Sequence, residues 1–252
     1  MSGHSKWANI KRQKAVVDAK KGATYAKMAR EIIVAARMGG GDPSGNFRLR
    51  HAIDRAKAEG VPNDNIQRAI EKGAGAGAGD QMEELIYEGY GPGGVAIMVK
   101  CATDNRNRTA GDIRSYFSKY GGNLGETGCV GWMFKERGEI LLSRPLELSD
   151  DELLMAALEA GADDVDTTSP DYITIVCPPY DLESVLNGLK KTGLECESSD
   201  VNMCPLTTAE IADRDIAKQL LKLMDVIENH DDVQRVFANF DMDPTWLQEY
   251  TN

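Results

Sequence analysis

A chain of 252 residues can hold two or three domains, since single cores seldom keep growing past roughly 250 residues. With 42% hydrophobic and 27% charged residues it lies in the ordinary globular range, which argues against fibrous and mainly disordered classes. The net charge of −11 conceals a gradient: residues 1–80 hold 15 Lys+Arg against 8 Asp+Glu, net +7, while residues 81–252 hold 14 against 32, net −18.

The chain opens on basic residues with no uninterrupted apolar run and no small-residue cleavage site, so it does not read as a secretory signal. From Lys6 onward the pattern suits a folded helix. Tyr25, Met28, Ala29, Ile32, Ile33 and Ala36 recur at helical spacing, and glycines at 39–41 supply the stop. Asp42-Pro43 opens a turn, after which Leu49, Ala52, Ile53 and Ala56 mark a second helix ended by Gly60. A third helix carries Ile66, Ala69 and Ile70, with Asn63 expected as its cap and Gly73 as its C-terminal glycine.

Residues 73–80, GAGAGAGD, have the composition of a flexible hinge and place a boundary there. No Lys-Ser/Thr follows them, so they are not a phosphate loop. The period then changes. Residues 95–103 read as a buried strand, 109–120 as a helix with Ile113, Tyr116, Phe117 and Tyr120 inward, and 129–134 as a strand. Strand 139–142, helix 150–160, strands 164–168 and 172–177, helix 182–191 and strand 195–202 follow in the βαββαβ order of a ferredoxin-like fold. A long amphipathic helix at 213–228 and a strand at 233–240 are expected to return to the middle of the protein.

The longest apolar stretches, such as 95–99, are far short of the roughly 20 residues that cross a bilayer. Five cysteines form no C-x-x-C pair and leave one unpaired in any disulfide scheme, which suits a reducing cytosol. Cys101 and Cys177 lie in apolar strand-like runs and are expected as small core residues. His4, His51 and His230 are far apart, and no metal or cofactor site is legible. Nothing reads as catalysis: Ser5 beside His4 lacks a third partner, and the C-terminal carboxylates form no paired arrangement.

Two groups of cations could meet a polyanion. Lys6, Lys11, Arg12 and Lys14 surround Trp7, and a helical stripe of Lys27, Arg30 and Arg37, joined by Lys20 if the helix continues back through Gly22, lies opposite the apolar face. Trp7 either stacks on a base or anchors the N-terminal arm to the bundle, the commoner use of a lone Trp. The second group is Thr103-Asp104-Asn105-Arg106-Asn107-Arg108-Thr109, between a strand and a helix N-terminus. Free backbone N–H groups there favour an anion, and Arg106 and Arg108 can add phosphate contacts. The alternative is a turn in which Asp104 and Thr109 cap the helix and both arginines are only solvated. Gly89-Tyr90-Gly91-Pro92-Gly93-Gly94 fits G-x-G-x-x-G, but it precedes a strand instead of following one and opens no helix, so it reads as a tight turn into the 95–103 strand.

Residues 3–11, GHSKWANIK, the Gly40-Gly41-Asp42-Pro43 turn, residues 87–96, YEGYGPGGVA, and residues 103–109, TDNRNRT, together resemble the YebC/PmpR family from end to end. The linker is richer in glycine than that family's pattern. The resemblance implies an α+β protein of three domains: a basic helical bundle at 1–78, a middle domain from 79–136 plus 206–252, and a ferredoxin-like domain at 137–205 inserted within it. Bacterial members carry the label of DNA-binding transcriptional regulators. Mitochondrial relatives are translational activators, and bacterial members have been linked to ribosomes stalled on difficult peptides. By motif correspondence His4, Ser5, Lys6, Trp7, Lys11 and the 104–109 loop match the family pattern.

The expected protein is a cytosolic, non-enzymatic regulator that binds DNA, rRNA or mRNA, in one version at the ribosome. It takes no membrane, cofactor or small-molecule substrate and is a monomer or weak dimer. With no helix-turn-helix, zinc site or RNP aromatic motif, binding should be led by backbone and shape, which suits structured RNA somewhat better than an operator. The competing class is a protein-interaction scaffold with a basic docking head.

Overall fold

A computed structural model describes residue 7 and residues 21–75, 82–144, 148–169 and 171–251. Helix α1, Lys21–Gly39, buries Ile32, Ile33, Ala35 and Ala36 and stops at Gly40, whose φ of +88° suits glycine. Helix α2, Phe47–Ala58, is tied to that stop by Asn46. The Asn46 side chain accepts from Leu49 N at 3.0 Å as the N-cap of α2, and it donates to the Ala35 and Gly40 carbonyls, both at 2.8 Å. Helix α3, Asn63–Ala74, completes a core with Leu49, Ile53, Val61 and Ile66.

Two terminal expectations for α3 change. Pro62 holds the N-cap position and makes no side-chain cap bond, so Asn63 is the first helical residue. Gly73 lies inside the last turn, where a Cβ would sit 2.4 Å from the Ile33 carbonyl oxygen. That glycine therefore permits the close crossing of α1 and α3 and does not end the helix. Most of the glycine-alanine hinge, residues 76–80, falls outside the described residues.

Strand β1, Glu83–Tyr90, was not expected, because its run of Glu, aromatic and aliphatic residues has no clean period of two. It pairs antiparallel with β2, Ala96–Thr103, from Glu83↔Thr103 to Tyr90↔Ala96. The Gly89–Gly94 motif thus begins on the last two residues of β1 and leads into β2. It makes a single 3-10 turn at Pro92–Gly94, with Gly93 and Gly94 at φ +74° and +73°. Ile97, Val99 and Cys101 of β2 enter the main core, and Ala96 and Met98 enter a smaller one on the opposite face. Helix α4, Arg106–Lys119, sends Ile113 and Phe117 into the main core, and β3, Asn123–Leu124, pairs with β1.

Residues 129–134 do not form the expected strand. The buried Glu88 carboxylate accepts the backbone N–H groups of Gly128 (2.9 Å), Val130 (2.9 Å) and Gly131 (2.6 Å), so these donors are unavailable to a strand ladder. A 3-10 turn forms at Gly131–Met133, and β4, Phe134–Ser143, begins where the strand was expected to end.

The βαββαβ succession is observed. Helix α5, Asp150–Glu159, starts on a Ser149/Glu152 capping box. It is followed by β5, Asp164–Asp166, β6, Tyr172–Cys177, α6, Leu182–Lys191, and β7, Ser198–Pro205. These strands form an antiparallel sheet in the order β5-β6-β4-β7 over a core of Ile140, Leu142, Leu153, Ile173, Val185 and Leu189.

The chain then returns. Strand β8, Ala209–Ile211, leads to α7, Arg214–Glu228, whose N-cap Asp213 accepts from Asp215 N and Ile216 N. Strand β9, Val233–Ala238, joins the edge of β2 and completes the central order β3-β1-β2-β9. The expected strand at 233–240 breaks at Asn239, whose side chain accepts from Ala96 N at 2.8 Å and donates to the Thr207 carbonyl at 3.1 Å. Strand β10, Phe240–Met242, pairs parallel with β8, and α8, Pro244–Thr251, closes the core. Cys101 and Cys177 are both fully buried, as their apolar surroundings suggested. Burial pushes their thiols up to about 12 and about 11, so both stay protonated at neutral pH.

Candidate nucleic-acid interface

The 103–109 loop is built around a carboxylate contributed by the α7–β9 connection. Asp232 is buried, and its Oδ2 accepts from Thr109 Oγ1 at 2.7 Å, Arg108 NH2 at 2.9 Å and Thr103 Oγ1 at 3.1 Å. Burial pushes this carboxyl up, but the hydrogen bonds from Arg108, Thr109 and Thr103 outweigh it and hold the group below the usual Asp value. The N-cap of α4 is Asn105, which accepts from Arg108 N at 3.1 Å, and not Asp104 or Thr109. Asp104 instead pairs with Arg108 at 2.9 Å. Arg108 is thus committed to two carboxylates, whereas Arg106 is exposed and makes no ion pair among the described residues.

The α1 stripe turns toward this same loop. Lys27 donates to the Glu228 carbonyl at the C-terminal end of α7, where the helix dipole favours a cation. Arg30 donates to the Asp231 carbonyl, and its guanidinium lies 3.8 Å from Asp232 Oδ1. Arg37, farther along, is exposed and donates to the Met82 carbonyl at 3.1 Å. The expectation of a stripe facing solvent is therefore corrected for Lys27 and Arg30: they hold the helical part of the chain against the central sheet. The two basic motifs, distant in sequence, share the carboxylate of Asp232.

Trp7 is 1% exposed. It packs into the main core beside Tyr250, and its Nε1 donates to Glu228 Oε1 at 3.0 Å. Its ring has no open face for a base, so of the two uses foreseen the structure supports the anchor. The host, however, is the central core and not the helical bundle. His4, Ser5, Lys6, Lys11, Arg12, Lys14 and Lys20 lie outside the described residues. Sequence reasoning missed Asp232 and Glu228, because their partners are brought in by tertiary contact. It also missed Arg114 and Lys119, exposed cations on α4.

A second polar junction joins all three parts of the fold. Asp200 of β7 receives Arg55 of α2 at 3.4 Å and is hydrogen-bonded by Arg235 of β9. Glu31 of α1 accepts from Arg55 at 3.0 Å and lies 3.8 Å from Arg235. Burial acts to raise the Asp200 carboxyl, but the Arg235 and Arg55 charges prevail and lower it. Beside this network a cavity of about 820 Å³ opens between α2, α6, β7 and β9. Arg50 and Glu183, 3.2 Å apart, line it together with Asp54, Glu139 and Asp200, so it offers a polyanion no surface of single sign.

Among the described residues, no helix is long and apolar enough to cross a membrane. Two family models cover most of the chain: the TACO1/YebC protein N-terminal domain matches residues 5–76, and the TACO1/YebC second and third domain matches residues 82–240. A probable transcriptional regulatory protein of Desulfitobacterium hafniense (strain DSM 10664 / DCB-2) is 56% identical over 242 residues, 96% of each chain. One of the same description from Halothermothrix orenii is 50% identical over 252 residues, 100% of this chain and 99% of the relative. The crystal structure of a conserved hypothetical protein from Aquifex aeolicus superposes with a TM-score of 0.82 at 46% identity, over 90% of this chain and 93% of that one.

Proposed function

The chain belongs to the TACO1/YebC family, and from that premise we propose that it is a cytosolic, non-enzymatic regulator of gene expression that binds nucleic acid. The full-length relatives described as probable transcriptional regulatory proteins support the regulatory part. The observation that carries the nucleic-acid part is the convergence of two basic motifs: Arg30 and Arg108 meet on Asp232, which brings helix α1 and the Arg106 end of α4 to one side of the fold. The cations that would grip phosphate are Arg106 and, before the described helix, Lys6, Lys11, Arg12, Lys14 and Lys20. Lys27, Arg30 and Arg108 would set the angle at which that surface is presented.

The three-domain division, with the β4–β7 sheet as a ferredoxin-like insertion at 137–205, belongs to the same reading. The strand order β5-β6-β4-β7 supports it. The physiological target is structured RNA in a ribosomal setting or duplex DNA at a promoter, and backbone-led binding favours the former. The test compares the intact chain with one carrying Lys6→Gln, Lys11→Gln, Arg12→Gln and Arg106→Gln. Neutralising each phosphate contact should lower the salt slope of binding by about one. An unchanged slope on both RNA and DNA would make the protein-interaction scaffold the better account. Co-sedimentation with ribosomes, set against genomic DNA recovery from the same cells, separates the two targets.

A further inference from the structure

Helix α5 shows an apolar face to solvent on the side away from its own sheet. Leu153 and Ala157 are fully buried against the second sheet, yet Leu154, Met155 and Leu158 are 38%, 59% and 45% exposed. At 100° per residue Met155 lies roughly opposite the buried pair, with Leu154 and Leu158 beside it along just over one turn. A helix apolar on both faces is ordinarily covered on both. Three large side chains adjoining one another in water differ from the single exposed apolar residues normal on a surface.

The charge within this segment of the chain has one sign. Residues 150–166 contain seven Asp+Glu and no Lys, Arg or His. Asp150 is paired with Arg144 at 3.0 Å, Asp163 is paired with Arg137, and Glu152 serves the capping box. Asp151 and Glu159 project on the same outward half as Met155 and have no ion pair among the described residues. An anionic lipid surface or a nucleic acid would be repelled here. Two copies meeting face to face through α5 would set these carboxylates against one another.

We infer that α5 is a docking face for a Lys/Arg-rich amphipathic helix of a partner protein, its apolar side on Leu154, Met155 and Leu158 and its cations over Asp151 and Glu159. This is helix-face recognition with charge-selected orientation. It lies in the acidic part of the chain and stands or falls independently of the nucleic-acid reading.

The intact chain is titrated with a fluorescein-labelled Leu/Lys peptide carrying leucines at i, i+3, i+4 and i+7, and with a scramble of the same composition. The scramble should bind about tenfold more weakly, and Leu154→Ser/Met155→Ser/Leu158→Ser should weaken the amphipathic peptide about tenfold at unchanged Tm. Asp151→Asn/Glu159→Gln should flatten the salt dependence. Equal binding of the scramble, or a triple variant that binds as the parent does, overturns the proposal. So does a parent chain that sediments as a dimer which the triple variant dissolves, since a second copy would then cover the face. If the triple variant fails to fold, amide shifts of the parent chain under peptide decide: changes centred on 150–159 support docking, and changes elsewhere overturn it.

Discussion

Arg108 and Asp232, 124 residues apart, meet at 2.9 Å and join the loop before α4 to the connection between α7 and β9. The same carboxylate receives Thr103, Thr109 and, more distantly, Arg30, so one buried acid links a surface motif, two strands and the helical part of the chain. Asp232 therefore sets how the basic motifs lie relative to one another.

Asp232→Asn should cost about 2 kcal/mol at neutral pH, because the two hydroxyls and Arg108 lose a charged acceptor. The folded-state carboxyl titrates below its ordinary value of 3.8. Its stabilisation is thus present above that value and is lost as pH falls through the folded pKa. Urea melts of parent and variant should differ at pH 7 and converge in strong acid. A gap independent of pH would show that the charge is not what stabilises this junction.

Glu88→Gln places an amide N–H₂ among three backbone donors and should cost about 2 kcal/mol. Amide exchange at Gly128, Val130 and Gly131 should accelerate well before the central strands respond. Uniform acceleration across the molecule would mean that Glu88 supports the whole core and not this loop alone.

Two glycine substitutions should act in opposite directions. Gly73→Ala forces a methyl toward the Ile33 carbonyl oxygen, 2.4 Å from the ideal Cβ position, and should destabilise by more than about 1 kcal/mol. Gly111, within α4, has nothing within 4 Å of an added Cβ, so Gly111→Ala should stabilise by about 0.5–1 kcal/mol. Thermal melts of the two variants check both signs.

Trp7→Phe removes the bond to Glu228 and part of a buried side chain, and should cost about 2 kcal/mol. Affinity for RNA or DNA, measured where the variant remains folded, should be unchanged. A large loss of affinity without loss of stability would restore the base-stacking role.

The ion network at Asp200 should be cooperative. Arg55→Gln and Asp200→Asn each remove a half-buried charge, and their double-mutant cycle should give a coupling of about 1 kcal/mol or more. Limited proteolysis around 76–81 reads whether the helical part then comes loose.

Helix spacing was largely legible along the chain, but the caps of α3 and α4 were not: Pro62 and Asn105 hold the positions expected of Asn63 and of Asp104 or Thr109. Leu182–Lys191 lies where its spacing put it, and Asp213 caps α7 as its residue type suggests. Strands β2 and β6 were legible as short continuous apolar runs, which their near-complete burial matches. What was misread depended on partners far away in sequence. Strand β1 lacks a pattern because β2, β3 and α4 cover it unevenly. The 129–134 segment has strand-like residues, but Glu88 removes its donors from any ladder.

The candidate interface divides in the same way. Local order of residue types identified the basic motifs and the family, since motif chemistry is written in neighbouring positions. Whether Lys27, Arg30 and Arg108 face a ligand or the protein's own carboxylates was decided only in three dimensions. A long cationic side chain settles where the nearest acceptor is, and here the carbonyls of Glu228 and Asp231 and the carboxylate of Asp232 arrive from the other end of the chain.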